Sequence, residues 1–164
     1  MHVFVQIAGF TQCIDDDLTC GERGLAGLPL APATLEGAPG DEAGARVVEL
    51  VGSRSWRLAF DASYEGALSV RIGSGSGLDV TLEEGRLTVD LSGTRYPHGG
   101  RRVVTLDAGE ARRVEILHDR SITEIYLGDG SRVFTTRTFL RGEGAGVALS
   151  GAASVTNVSA ARAD

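Results

Sequence analysis

The chain has no lysine: all 16 of its basic residues are arginine. With its abundant alanine, glycine and valine, this reflects GC-rich coding and carries no functional information. The arginines do not cluster beyond the isolated pairs Arg101/Arg102 and Arg112/Arg113, and the net charge is −6. Affinity for a polyanion rests on clustered cations that displace counterions, so no nucleic-acid partner is expected. Long apolar runs are missing as well. None approaches the roughly 20 residues that span a bilayer, and no membrane partner is expected. Cysteine is reduced to Cys13 and Cys20. Their spacing is neither a C-x-x-C redox pair nor half of a zinc site, and two thiols exclude a disulfide framework. The N-terminus has no basic stretch, and its short apolar run is broken by Gln6, Gly9 and Gln12; no signal peptide is expected. His2, His98 and His118 never approach the spacing of metal ligands, so neither metal nor cofactor is expected.

What remains is a pattern of alternation. At 164 residues the chain is long enough to bury one core unaided. Residues 21–45 hold three of the four prolines and many small residues. Residues 1–44 are therefore read as a linker or divergent N-terminal segment, and 45–164 as the domain. A half-buried sheet reads apolar, polar, apolar, because successive side chains leave opposite faces. Trp56–Leu58–Phe60, Leu68–Val70–Ile72, Leu78–Val80–Leu82 and Leu87–Val89–Leu91 follow that rhythm. Further strands are expected at 102–106, 113–117, 122–127, 132–139, 146–149 and 154–160, with a tight turn at Glu83-Glu84-Gly85. Short strands punctuated by glycine point to an antiparallel sandwich rather than βαβ units. The glycine string 73–77 lacks the lysine and the helix of a phosphate-binding loop, and reads as a connection between strands. Aromatics make up 5% of residues, few for a sugar-stacking surface. Trp56 is expected in the core, whereas Tyr64 and Tyr96 are expected in loops, where a ring can serve a sugar. Asn157-Val158-Ser159 matches an N-glycosylation acceptor, to which no weight is given.

The segment His118–Phe139 concentrates acids, arginines and hydroxyls. Asp129-Gly130 suits a two-residue type I′ turn. Counting outward pairs Tyr126 with Val133, Ile125 with Phe134, Glu124 with Thr135, Thr123 with Thr136 and Ile122 with Arg137. Glu124 then lies beside Thr135 and diagonal to Arg137, with Arg120 on its face, as an acceptor for guanidinium groups. Asp119 and Glu124 invite a glycosidase reading. On a single strand, however, they would point to opposite faces about 16 Å apart at ~3.3 Å per residue, beyond the roughly 5–9.5 Å that glycoside hydrolysis uses. A structural hairpin is expected, with no catalytic residue.

The same residues carry a family resemblance. Asp119-Arg120-Ser121, then Glu124, Tyr126, the Gly/Asp turn, Val133-Phe134-Thr135, Arg137 and Phe139 are similar to the signature of the C-terminal β-sandwich module of glycoside hydrolase family 32, the β-fructosidases. Upstream, Gly85–Asp90 and Arg101–Leu106 resemble the paired strands that precede this hairpin. Tyr126, Leu91 and Leu140 depart from the usual Phe, Arg and Pro. The resemblance covers residues 45–160 and implies an all-β, two-sheet antiparallel β-sandwich of jelly-roll, concanavalin-like type. It also implies that the chemistry resides in a preceding five-bladed propeller with W-M-N-D-P-N-G, R-D-P and E-C motifs, none of which occurs here. The implied partner is that catalytic propeller, in cis or as a separate chain, which hydrolyses O-glycosyl bonds in sucrose, levan or inulin. A free-standing lectin-like module binding fructan or another glycan, on a sheet face or end loops, is the alternative.

Overall fold

A computed structural model describes residues 54–73, 76–97, 100–141 and 145–163, together with five strand segments nearer the N-terminus. The described chain is all strand. A hairpin of β1 (Val3–Ile7) and β2 (Phe10–Ile14) forms its own two-stranded sheet. β3 (Leu30–Pro32) and β4 (Leu35–Glu36), both within the proline-rich stretch, pair with β13 (Ala145–Ala163) and β5 (Arg46–Leu50) respectively. The remaining strands are β6 (Ser55–Ile72), β7 (Leu78–Glu83), β8 (Arg86–Asp90), β9 (Arg101–Thr105), β10 (Arg113–Asp119), β11 (Ile122–Leu127) and β12 (Arg132–Arg137). All pairings are antiparallel.

Two of these strands are longer than alternation predicts. The expected strands 56–60 and 68–72 are one 18-residue β6, and 146–149 and 154–160 are one 19-residue β13. They pair along nearly their whole lengths and curl together. The first half of β6 continues into β10, β11 and β12; its second half continues into β7, β8 and β9. The two layers thus share their central strands, and the strands change sheet by bending rather than by turning. β13 makes the bend with register shifts at Gly151/Ala153 and Thr156/Ser159. Asn157 sits in the second shift at φ 50, a conformation asparagine tolerates. Its side-chain amide donates to Asp61 at 2.6 Å, so the acceptor-like tripeptide serves as a β-bulge.

The core lies between the layers. Trp56, Leu58, Phe60, Val114, Ile116 and Ile125 from one sheet meet Val70, Ile72, Val80, Leu82, Val89 and Val147 from the other, all buried. This is the apolar face that the period-two pattern marks, including Trp56. The glycine string bridges β6 and β7, as expected, though residues 74 and 75 lie outside the described residues.

The β11–β12 hairpin has the register counted from the sequence, from Ile122↔Arg137 to Tyr126↔Val133. Asp129 and Gly130 take φ of 56° and 84°, and the Ser131 N–H donates to the Gly128 carbonyl at 3.1 Å. These are type I′ dihedrals, but Gly128 is left-handed too, at φ 56°, and the strand pairing ends at Leu127↔Arg132, so the connection is a four-residue loop, 128–131, and not the two-residue turn expected. A β-branched residue resists positive φ. Asp129→Val is therefore expected to cost roughly 1–2 kcal/mol, read as a lower urea midpoint with unchanged slope.

Candidate functional site

The signature residues converge on the outward face of the first sheet. Ser55, Arg57 and Ala59 of β6 lie opposite Asp119, Leu117 and Glu115 of β10, and Leu117 and Glu115 lie opposite Glu124 and Tyr126 of β11. Arg57 donates to Glu115 at 2.5 Å, a half-buried cross-strand ion pair. Glu124 accepts from the Tyr126 hydroxyl at 2.9 Å, so the tyrosine lies along its own strand. Asp119 accepts from the Ser55 hydroxyl at 2.6 Å.

Two expectations about this segment need correction. Asp119 and Glu124 do not share a strand: Asp119 ends β10, Arg120-Ser121 reverses the chain, and Glu124 faces Leu117. They are diagonal neighbours on one face, about 7–8 Å apart at Cα, not about 16 Å apart on opposite faces. Distance therefore does not exclude joint action. Orientation argues against it: both carboxylates leave the same side of a pleated surface, and neither stands across a cleft from the other. Arg120 is the second correction. It occupies the turn at φ 53, its N–H donating to the Arg54 carbonyl at 2.6 Å, and so does not continue the alternation two pleats behind Glu124. Thr135 and Arg137 stand opposite Glu124 and Ile122, and the Ser121 carbonyl accepts from Thr138 at 2.7 Å. Glu124→Gln is expected to cost on the order of 1 kcal/mol, because the Tyr126 hydroxyl loses a charged acceptor. Thermal unfolding monitors it.

Long-range pairing adds a residue that sequence reasoning left unused. His118, buried on the inward face, stacks on Trp56 with ring centroids 5.3 Å apart and 23° between planes. Its Nδ1 lies 2.8 Å from the Thr123 hydroxyl. Burial pushes its pKa down to about 4, against the opposing pull of the Asp119 charge and a backbone bond at Arg120. Nothing local in the sequence marks this contact, since 62 residues separate the rings. Among the described residues no cluster of His, Cys, Asp and Glu could hold a metal ion. His2, His98 and Cys20 lie outside the described residues, as does the side chain of Cys13.

The two candidate tyrosines part company. Tyr64 is not in a loop but on β6, where the strand bends, and its hydroxyl donates to the Ala111 carbonyl at 2.8 Å. It borders a cavity of about 500 Å³ lined also by Glu65, Glu83, Glu84 and Arg86. Glu83 and Arg86 form an ion pair there, and the Tyr64 hydroxyl is pushed up by burial first and by the Glu84 charge second. Tyr96 is in a loop, between β8 and β9, and is 45% exposed. Phe139, from the far end of the signature, packs against it edge to face at 5.1 Å.

The sequence matches the family described as glycosyl hydrolases family 32, C terminal, over residues 43–162. The chain belongs to that family. The β-sandwich read from the resemblance is the fold of this family 32 C-terminal domain. Solved structures of family 32 enzymes superpose on it at low identity. The β-fructofuranosidase of Bombyx mori is 18% identical with a TM-score of 0.63, and sucrose-6-phosphate hydrolase of Lactobacillus gasseri is 16% identical with a TM-score of 0.67. In both cases 99% of this chain covers 32% of the other; the chain spans about a third of the length of these structures. Sheep galectin-11 also shares the sandwich, 11% identical with a TM-score of 0.54, over 70% of this chain and 95% of galectin. Among curated proteins no sequence matches.

Proposed function

We propose that the chain works as the accessory β-sandwich of a β-fructosidase-type glycoside hydrolase, packing against a catalytic propeller and supplying no catalytic residue of its own. The observation that carries this reading is the family match over residues 43–162 in a chain that covers 32% of family 32 enzymes of known structure. The work of such a module is to cover and stiffen its neighbour. Ile122, 38% exposed at an outward position of the first sheet, gives the neighbour an apolar side chain to meet. Residues 45–164 form most of this domain, and the segment before them adds β3 and β4 to its sheet. Within it Asp119, Arg120, Ser121, Glu124, Tyr126, Thr135, Arg137 and Phe139 serve architecture: turn, cross-strand contacts and the seat for Tyr96.

The purified chain is expected to release no fructose from sucrose, inulin or levan. Hydrolysis that copurifies with the chain and disappears in an Asp119→Asn, Glu124→Gln double variant would overturn the reading. A second reading, a free-standing lectin-like glycan-binding module, draws support from the exposure of Tyr96. Titration with glycans separates the two.

A further inference from the structure

We propose that the free edge of β9 pairs with β9 of a second copy of this chain, so that two sandwiches share one continuous sheet. Among the described residues β9 pairs only with β8, and it closes the second sheet on that side. The ladder between them is anchored at both ends. The Leu91 N–H donates to the Gly100 carbonyl at 3.0 Å, and the Leu106 N–H donates to the Gly85 carbonyl at 2.9 Å. Bonded positions alternate in an antiparallel pair. Arg102 and Val104 therefore turn their peptide groups to β8, whereas Arg101, Val103 and Thr105 turn theirs away from the sheet. Such an edge is a template for another strand. Its side chains are bare as well: Arg101, Arg102 and Thr105 are exposed, and Val103, at 57%, is more exposed than any other large apolar side chain among the described residues. β12, the edge of the first sheet, is half-buried at every position but Arg137.

The charges on β9 select a second copy as the occupant. The strand opens on Arg101-Arg102, and beyond its end stands Asp107, whose side chain is 89% exposed. Antiparallel pairing about a two-fold axis at Val103 sets the two exposed valines side by side. It puts Arg101 opposite Thr105 of the second copy and diagonal to Asp107 of that copy. Both ends of the contact gain an opposite charge at once, because an isologous interface repeats every pairing. Arginines on an edge guard against indiscriminate pairing. In this register no arginine stands opposite another, since Arg102 meets Val104, whereas parallel pairing would align them. A five-residue edge covers less than the roughly 1,200 Å² of a standard interface, so the association is expected to be weak and reversible. The contact goes beyond the accessory role, because it uses the second sheet and leaves Ile122 on the first.

Sedimentation equilibrium of the full chain from about 10 µM to about 1 mM, a range suited to weak encounters, tests the proposal. The average mass is expected to rise with concentration from 17.1 kDa towards twice that value. Amide hydrogen exchange reads the register: at high concentration Arg101, Val103 and Thr105 should slow, while Arg102 and Val104, already turned to β8, keep their rates. Val103→Lys sets like charges together at the two-fold axis, and Val103→Pro removes an N–H that β8 does not use. Each should weaken association about tenfold or more. Val103 is exposed, so near-ultraviolet circular dichroism of Val103→Lys should match the parent and show that the fold is kept. Ile122→Ser, on the first sheet, should leave association unchanged. A monomer throughout the range, a dimer indifferent to Val103→Lys, or one abolished by Ile122→Ser overturns the proposal. Release of fructose plays no part in these readings, so pairing through β9 and the accessory role stand or fall separately.

Discussion

Gly151→Ala is expected to destabilise the domain by about 3 kcal/mol or more, the largest effect of any single methyl group considered. Gly151 marks the point where β13 leaves one sheet for the other, opposite Leu68. Its φ is +125°, a region closed to L side chains, and an added Cβ would lie 2.1 Å from the Ala67 carbonyl oxygen. Both atoms of that clash are tied to the paired backbone, so relief means separating β6 from β13 at the bend the two layers share. Gly146→Ala, five residues earlier on the same strand, is the control. Its added Cβ meets nothing within 4 Å, and it is expected to be neutral or to stabilise by roughly 0.4–1 kcal/mol through the unfolded state. Guanidinium unfolding of the two variants beside the parent decides the matter. A Gly151→Ala midpoint as high as that of Gly146→Ala would mean that the bend relaxes freely.

Acidification is expected to remove on the order of 3 kcal/mol of stability through His118 alone. The ring is 3% exposed and packed on Trp56, and its pKa in the folded state is about 4 against an ordinary 6.5. Between those values the unfolded chain binds a proton that the folded chain refuses. Stability is therefore complete above pH 6.5 and declines as pH falls towards 4. Asp61, Asp90 and Glu110 are held below their ordinary values by hydrogen bonds, from Asn157 and Arg113, from Ser92, and from the Asp107 backbone with Arg132. Their contribution is present above the ordinary carboxylate range and is lost at still lower pH, which leaves the upper window to the histidine. Urea midpoints at neutral and mildly acidic pH should differ in the parent and converge in His118→Gln. Trp56, the sole tryptophan, reports protonation of the folded ring itself near pH 4, because a protonated imidazole stacked on an indole quenches it. An unchanged slope of stability against pH in the variant would assign the acid sensitivity elsewhere.

The two kinds of legibility in this chain can be traced to particular residues. Trp56, Leu58 and Phe60, or Leu78, Val80 and Leu82, declare their inward face because the strand period is fixed by backbone stereochemistry. Asp129-Gly130 declares a hairpin because few residues accept its dihedrals. The β11–β12 register follows from these two local facts. Arg120-Ser121 carries no such mark. An arginine at φ 53 is held there by its bond to Arg54, 66 positions away, and so the placement of Asp119 beside Glu124 was hidden. The fusion of two expected strands into β6, and of two more into β13, was hidden for a similar reason. A lone Gly66 or Gly151 reads as an ending, and whether the chain ends or bends there depends on the strand that pairs across it.

From its residues alone the chain determined an all-strand sandwich, its inward faces and its signature hairpin, because these depend on neighbours within a few positions. The tertiary structure decided which rings face solvent, which carboxylates share a face and where the sheets exchange strands. Those properties arise from pairings between segments tens of residues apart, where register and bend, rather than residue type, place each side chain.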